Sequence, residues 1–195
     1  MKSLFKAVRG FRDEDRGSLV VEAVMILPFL MWAYVGLYVY WDAFRSINTV
    51  QKAAYSVSDM ISREMITITP AYLTGMDSIM ERLIDQSQDA SMRVTSVYCN
   101  GMGADRCDDL TGRNEVHWSL SPGSMMPALT TTSLQALEDH IPAMSDGDYV
   151  VIVEISVTYT PAFNFGLTEN LNLQQFIVTR PRFVPRICMQ GYACS

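Results

Sequence analysis

The residue with the clearest chemical meaning is Glu22, the one charged side chain between Leu19 and Trp41. A carboxylate in hydrocarbon costs about 2.5 kcal/mol or more near the bilayer centre, so it is rare there without a partner. Cleavage after Gly17 would create that partner, because the new ammonium of Ser18 would lie one helical turn before Glu22. The spacing is therefore compatible with a charge pair between Ser18 and Glu22, formed within one chain or between neighbouring chains, if the chain is cut after Gly17.

The apolar run from Leu19 to Trp41 has the length of a membrane-spanning helix. At a rise of about 1.5 Å per residue it covers about 34 Å, which exceeds a hydrocarbon core of ~30 Å. Its far end is rich in tyrosine and tryptophan, which gather at membrane–water interfaces. We therefore predict one span over residues 18–41, with its outer edge near Asp42.

The charges around this run predict its orientation. Residues 1–17 form a leader with several Lys and Arg, whereas the next basic residues are Arg45 and Lys52. The positive-inside rule then places the amino terminus in the cytoplasm and the rest of the chain outside. A secretory signal peptide has a shorter apolar core of about 7 to 15 residues, which disfavours that reading. A plain uncleaved signal anchor, with Gly17 and Glu22 coincidental, stays open.

The residues at this boundary resemble the opening of a known family. The matching features are Gly17-Ser18, the following Val21-Glu22-Ala23 and then Pro28. This opening is similar to that of the TadE/TadF-like pilins of tight-adherence (Flp) pilus systems. The resemblance covers roughly residues 10–65 and is loose afterwards.

The resemblance implies a minor pilin or pseudopilin of a Tad (Flp) adhesion pilus. A prepilin peptidase would cut between Gly17 and Ser18 in the bacterial inner membrane, leaving the carboxyl-terminal part in the periplasm. The implied partners are the prepilin peptidase, other Tad/Flp pilins, the pilus assembly platform and membrane lipid. Glu22 would set the axial register by pairing with the amino terminus of a neighbouring subunit.

Beyond Trp41 the apolar positions keep a helical period. They recur at three- and four-residue steps from Ile47 to Met65, with charged side chains elsewhere on the wheel. We predict that the span continues as one helix to about Met65 and that Pro70 stops it. The predicted domains are a leader (1–17), a transmembrane helix (18–41), an amphipathic continuation (42–69) and a head domain (70–195).

The head is predicted to be a small antiparallel sheet with short helices. Segments rich in Val, Ile, Thr and aromatic residues alternate with turn-forming segments, which predicts strands over Met92–Tyr98, Glu115–Leu120, Tyr149–Thr160 and Leu171–Phe183. Helical stretches are predicted over Tyr72–Gln88 and over Ser133–His140, the second with Ser133 as its N-cap. The predicted fold class is therefore α+β, with a long N-terminal helix, transmembrane and then amphipathic, carrying the sheet.

The chain has 4 cysteines, all on the predicted outer side, where an oxidising compartment permits disulfides. Three pairings are possible. We favour the two short loops, Cys99 with Cys107 and Cys188 with Cys194, because the ends of a short segment meet easily. Zinc binding is disfavoured, since the cysteines lack a C-x-x-C pair and the histidines stand in no ligand pattern.

No catalytic or metal-binding pattern stands out in the sequence. Ser121, His117 and Asp105 are of the types that hydrolases use, but nothing places them together. Asp105, Asp108 and Asp109 lack the ligand spacing of a calcium loop. We predict a protein that is not an enzyme and needs no cofactor or metal. Residues 42–195 carry 10 Lys plus Arg and 17 Asp plus Glu, and this net charge of −7 argues against nucleic acid as a partner. The alternative to a pilin is an uncleaved, membrane-anchored binding protein of the cell envelope.

Overall fold

The chain forms one long helix and a four-stranded antiparallel sheet, which confirms the predicted α+β class. The structure is a computed structural model, and it describes residues 18–84, 89–103, 105–107, 113–124, 126–163, 166 and 170–194. The elements that lead into the sheet are two helices, α1 (Ser18–Ser62) and α2 (Pro70–Leu83). The strands are β1 (Asp89–Asn100), β2 (Arg113–Leu120), β3 (Tyr149–Tyr159) and β4 (Leu171–Thr179).

Helix α1 contains 45 residues and is about 68 Å long at the usual helical rise. It ends at Ser62, slightly before the predicted end near Met65. The last turn tightens there, because Arg63 and Glu64 donate their backbone N–H groups to carbonyls three residues back. The free carbonyl of Ser62 accepts a hydrogen bond from the backbone N–H of Arg182 at 2.9 Å. A contact from the distant carboxyl-terminal segment thus helps to end the helix.

Helix α2 begins at Pro70, where the sequence predicted the stop of α1. Thr69 is its N-cap, and its side chain accepts a hydrogen bond from the backbone N–H of Tyr72 at 3.1 Å. Proline suits the first helical position because its missing N–H would have no partner there. The helix therefore starts earlier than the predicted Tyr72 and ends at Leu83, while residues 85–88 of the predicted stretch lie outside the described residues.

The strand order in the sheet is β2-β1-β3-β4, with every neighbouring pair antiparallel. All four strands correspond to predicted ones, but β4 ends at Thr179 rather than at Phe183. Pro181 has no N–H to donate to a ladder, so the pairing stops just before it. The next backbone N–H, that of Arg182, is turned toward α1.

The structure contains the helical stretch predicted over Ser133–His140, but the stretch begins at Thr131 and only its first turn is α-helical. It consists of a helical turn, α3 (Thr131–Leu134), followed by a 3₁₀ segment (Gln135–His140). The N-cap is Thr130, so the assignment of Ser133 as the cap was wrong. Ser133 is instead the third helical residue, and its side chain accepts a hydrogen bond from the backbone N–H of Thr130 at 2.9 Å. The two residues form a reciprocal capping box.

Both faces of the sheet carry buried side chains. Helices α1 and α2 cover one face, where Val50 and Ile61 pack with Val153. The segment around α3 covers part of the other face, where Leu134 packs with Ile152. Successive side chains of a strand point to opposite faces, so adjacent residues of β3 enter different cores. This arrangement explains why β3 is nearly continuous in apolar residues.

A buried ion pair lies on the sheet face opposite α1. Arg93 of β1 stands directly across from Glu154 of β3, and its Nε and Nη2 atoms each donate to a Glu154 oxygen at 2.7 Å. The third nitrogen, Nη1, donates to the carbonyl of Pro127 at 2.6 Å. The two side chains are only 10% and 12% exposed. Since both charges are largely removed from water, each depends on the other for electrostatic stabilisation.

We predict that Glu154→Gln lowers the free energy of unfolding by about 3 kcal/mol, because it leaves the Arg93 charge buried without its counter-ion. Urea unfolding of the full chain in detergent measures this loss. The double substitution Arg93→Met with Glu154→Leu should recover most of it. Arg113→Gln is the matched control, since Arg113 pairs with Glu115 while 55% exposed and should contribute below about 1 kcal/mol. Equal losses from the two single variants would contradict the prediction.

Candidate membrane anchor and assembly surface

The amino-terminal half of α1 is apolar and exposed on all sides. From Val20 to Tyr34 every side chain faces outward, including Phe29 at 73% and Trp32 at 65% exposed. The helix stays continuous through Pro28. A helix that is apolar all round is stable only among lipid chains or other apolar helices. Nothing in the described part of the head covers this segment, so its surroundings lie outside the chain's own fold.

This segment meets the length and composition of a membrane span. Within the described residues, α1 is the one helix that does so, and its most apolar stretch is almost entirely exposed. The low burial separates it from the core helix of a soluble protein, which passes the same test of composition. The chain thus has one apolar helix that could anchor it in a membrane as a single-pass protein.

Glu22 projects from this exposed segment. It lies one turn after Ser18, the first residue of the described helix, so the two are neighbours on one face. No ion pair joins Glu22 to any residue that the structure describes. Gly17, the other half of the predicted cleavage site, lies outside the described residues. The Gly17-Ser18 site and the charge pair of Glu22 therefore stay predictions.

The head begins to cover α1 before the predicted end of the span at residue 41. Gly36 and Val39 are already buried, while Tyr38 and Trp41 on other faces of the helix are exposed. The loop after β3 also approaches this level, since a side chain added at Gly166 would meet the Tyr40 hydroxyl at 3.2 Å. The base of the head thus lies directly against the aromatic end of the apolar segment.

A hydrogen bond between Asp42 and Tyr159 joins α1 to the sheet at this junction. The Tyr159 hydroxyl, at the end of β3, donates to the Asp42 carboxylate at 2.6 Å. Burial, together with this bond and the negative charge of Asp42, raises the pKa of Tyr159 well above its usual value. Sequence reasoning missed this contact. Asp42 directly follows the aromatic belt of Tyr38, Tyr40 and Trp41, which marks it as a boundary residue in the sequence. Its partner Tyr159 could be identified only from the fold.

The structure joins Cys99 to Cys107 and Cys188 to Cys194, the two short loops that the sequence favoured. The Cα atoms of the pairs are 5.7 and 5.6 Å apart. In the first loop the backbone N–H of Cys107 donates to the carbonyl of Met144 at 2.9 Å. The disulfide closes the turn after β1, and this backbone hydrogen bond joins that turn to the segment before β3.

The second disulfide closes a loop in the carboxyl-terminal segment, which crosses the linker between α1 and α2. The backbone of Ile68 donates to the carbonyl of Cys188 and accepts from the N–H of Gln190, both at 2.8 Å. The indole N–H of Trp118 donates to the carbonyl of Ile187 at 2.9 Å. The end of the chain is thus tied to the helices and to β2 at once.

The residues considered for hydrolase chemistry do not form a site. His117 lies within β2 and Ser121 just past its end, which separates their Cα atoms by about 13 Å along an extended chain. Ser121 donates its hydroxyl to the carbonyl of Met92 at 2.7 Å, and Nε2 of His117 lies 2.7 Å from the carbonyl of Ala193. Asp105 lies in the first disulfide loop.

The calcium loop considered in the sequence is described only at Asp105, because Asp108 and Asp109 lie outside the described residues. Within the described ranges, no group of three or more His, Cys, Asp and Glu side chains is placed to hold a metal ion.

We predict that Tyr159→Phe lowers the free energy of unfolding at pH 7 by about 1.5 to 3 kcal/mol, because it removes a hydrogen bond to a charged acceptor. The folded-state pKa of Tyr159 is raised, so its contribution is complete below the unfolded pKa of about 10 and is lost at higher pH. Urea unfolding of the native protein and the variant should show this difference in full at pH 7. At pH 10.5, about half a unit above the unfolded pKa, the difference should be smaller. Tyr55→Phe is the control, since Tyr55 is exposed. An equal loss for both variants would refute a special role for the junction.

Comparison with known proteins finds no relative. No protein-family model matches the chain, and no curated protein or solved structure shows significant similarity to it. The function proposed below therefore rests on the resemblance over residues 10–65 together with the chain's own contacts.

Proposed function

We propose that this protein is a minor pilin or pseudopilin of a TadE/TadF-like type that serves in the assembly of a Tad (Flp) adhesion pilus. A prepilin peptidase removes residues 1–17, and the mature chain begins at Ser18 in the bacterial inner membrane. The amino terminus faces the cytoplasm and the head lies in the periplasm. The protein acts by packing against other pilins and the assembly platform, not by catalysis.

The observation that carries the proposal is the division of α1 into two halves with different surroundings. The part from Val20 to Tyr34 is exposed and, apart from Glu22, apolar, whereas the part from Ala43 to Ile61 packs under the sheet. Such a helix needs lipid around its first half, and can later exchange lipid for the helices of neighbouring subunits with little change in apolar burial. This exchange is what a subunit requires if it is first stored in a membrane and then assembled.

Glu22 adds a specific contact to this otherwise apolar surface. It is exposed and has no counter-ion among the described residues. Before assembly it lies close enough to the cytoplasmic edge to reach interfacial water. Among packed helices it would need a positive partner, and the amino terminus of a neighbouring mature subunit supplies one. Only one axial offset between the two helices brings these charges together, so the pair selects the register.

The head is consistent with a periplasmic location. Two disulfides form within it, and disulfides persist in the oxidising periplasm but rarely in the cytoplasm. The alternative function is an uncleaved, anchored binding protein. The observation that favours it is a cleft of about 410 Å³ on the sheet face opposite α1, between Leu137, His140 and Phe176. The two functions differ in whether the leader is removed.

We predict that Gly17→Val blocks maturation, because a β-branched side chain at the cut bond obstructs a peptidase that requires a small residue. Intact-mass measurement of the membrane form should find a native protein that begins at Ser18 and a variant that begins at Met1. Gly10→Val, the same change inside the leader, should mature normally. A native chain that still begins at Met1 would support the uncleaved binding protein instead.

We predict that Glu22→Ala yields a processed and stable membrane protein that fails to co-purify with other pilins or to support piliation. Insertion is retained because the apolar segment is unchanged, but the neighbour's ammonium is left unpaired in a low-dielectric contact at a cost of several kcal/mol. Glu22→Asp, which keeps the charge, should retain part of the assembly. Normal piliation by Glu22→Ala at normal protein levels would disprove the charge-pair mechanism and leave the cleavage prediction standing.

A further inference from the structure

A cavity of about 320 Å³ lies between α1 and the end of α2. Arg45 and Asp42 line it from α1, and Arg82 and Leu83 line it from α2. The two helices meet here because α2 runs back along α1 after the turn at Pro70, which brings its last residues to the level of Asp42. The cavity therefore combines basic side chains from two separate elements.

The cavity lies at the outer edge of the apolar segment. Its residues on α1 begin directly after Trp41, the last member of the aromatic belt. The guanidinium of Arg45 lies over the Trp41 ring, 5.6 Å from its centroid. A long helical side chain covers the turn before its own Cα, so Arg45 extends toward the membrane. When the tryptophan occupies the interface, this guanidinium is at the depth of lipid phosphates.

The charges of the cavity favour an anion. Within the described residues, neither Arg45 nor Arg82 forms an ion pair with a carboxylate. Asp42, the one acidic side chain among the described residues of the lining, accepts a hydrogen bond from the Tyr159 hydroxyl and opposes an anion. Among these described residues two guanidinium groups stand against one carboxylate, which favours an anion, and guanidinium groups pair well with phosphate oxygens.

The cavity also has an apolar part in its lining. Leu83, which lines the cavity, is 47% exposed, and Phe44, the neighbour of the lining residue Arg45 in the sequence, is 63% exposed. A free phosphate ion gains nothing by covering these apolar side chains, whereas the glycerol and upper acyl chains of a phospholipid would cover them. We propose that this cavity binds the phosphate group of a phospholipid in the leaflet beside the head. The inference rests on the membrane span of the proposed function, but not on cleavage or on pilus formation.

The experiment measures lipid binding to the full chain in detergent by native mass spectrometry. The probes are phosphatidylglycerol, diacylglycerol, which has the same tails without phosphate, and inorganic phosphate. We expect one phosphatidylglycerol to bind in preference to diacylglycerol. Arg45→Gln and Arg82→Gln should each weaken its binding about fivefold, the effect of one basic side chain at a lipid surface. Lys52→Gln, which removes a charge from α1 two turns beyond Arg45, should leave the affinity unchanged.

Asp42→Asn gives a test of opposite sign. It removes the repulsion while retaining an oxygen that can accept the Tyr159 hydroxyl, so binding of phosphatidylglycerol should tighten. A variant that merely damages the fold cannot produce this result. Circular dichroism of each variant checks that the head is folded.

Three results would overturn the proposal. One is equal binding of diacylglycerol and phosphatidylglycerol, and another is an equal loss from Lys52→Gln and Arg45→Gln. The third is tight binding of inorganic phosphate that phosphatidylglycerol does not displace, which would identify a free-anion site. The lipid assay does not depend on piliation, so a failure of the cleavage or Glu22 predictions with intact lipid binding would refute only the pilin function.

Discussion

One helix has to satisfy two different surroundings along its length, and the rest of the structure depends on where it changes from one to the other. From Val20 to Tyr34 the side chains of α1 are exposed and, apart from Glu22, apolar, and beyond Ala43 one face of the helix enters the core under the sheet. The change occurs without a break in the helix, so the head is held at a constant height above the apolar segment. A flexible linker at this point would remove that constraint.

The junction is built from contacts that cross between distant parts of the chain. The Asp42–Tyr159 hydrogen bond and the approach of Gly166 to Tyr40 bring the end of β3 and its following loop onto α1. The end of α2 arrives on another side and forms the cavity with Arg45 and Arg82. The base of the head is thus fixed on more than one side of the helix, at the level where a membrane would end.

The far end of α1 is held by the carboxyl-terminal segment. Arg182 donates its backbone N–H to Ser62, while Ile68 exchanges hydrogen bonds with the segment that contains Cys188. The disulfides hold single loops closed, whereas these backbone contacts connect the loops to the helices. Since the head has a modest core, such local closure limits the conformational entropy that folding has to overcome.

The sequence by itself determined the features that depend on local pattern. The apolar run, the helical period up to Ile61, the four strands and the α+β class are all readable because hydrophobic periodicity reflects burial directly. Element ends were less readable: α1 stops at Ser62, whose carbonyl accepts from the distant Arg182, and Thr130 caps α3 through its side chain and that of Ser133. Three features could be identified only from the tertiary structure: the Arg93–Glu154 ion pair, the Asp42–Tyr159 hydrogen bond, and the cavity that Arg45 and Arg82 both line. Each joins residues far apart in the chain, and no local spacing encodes which distant partner the fold will bring near.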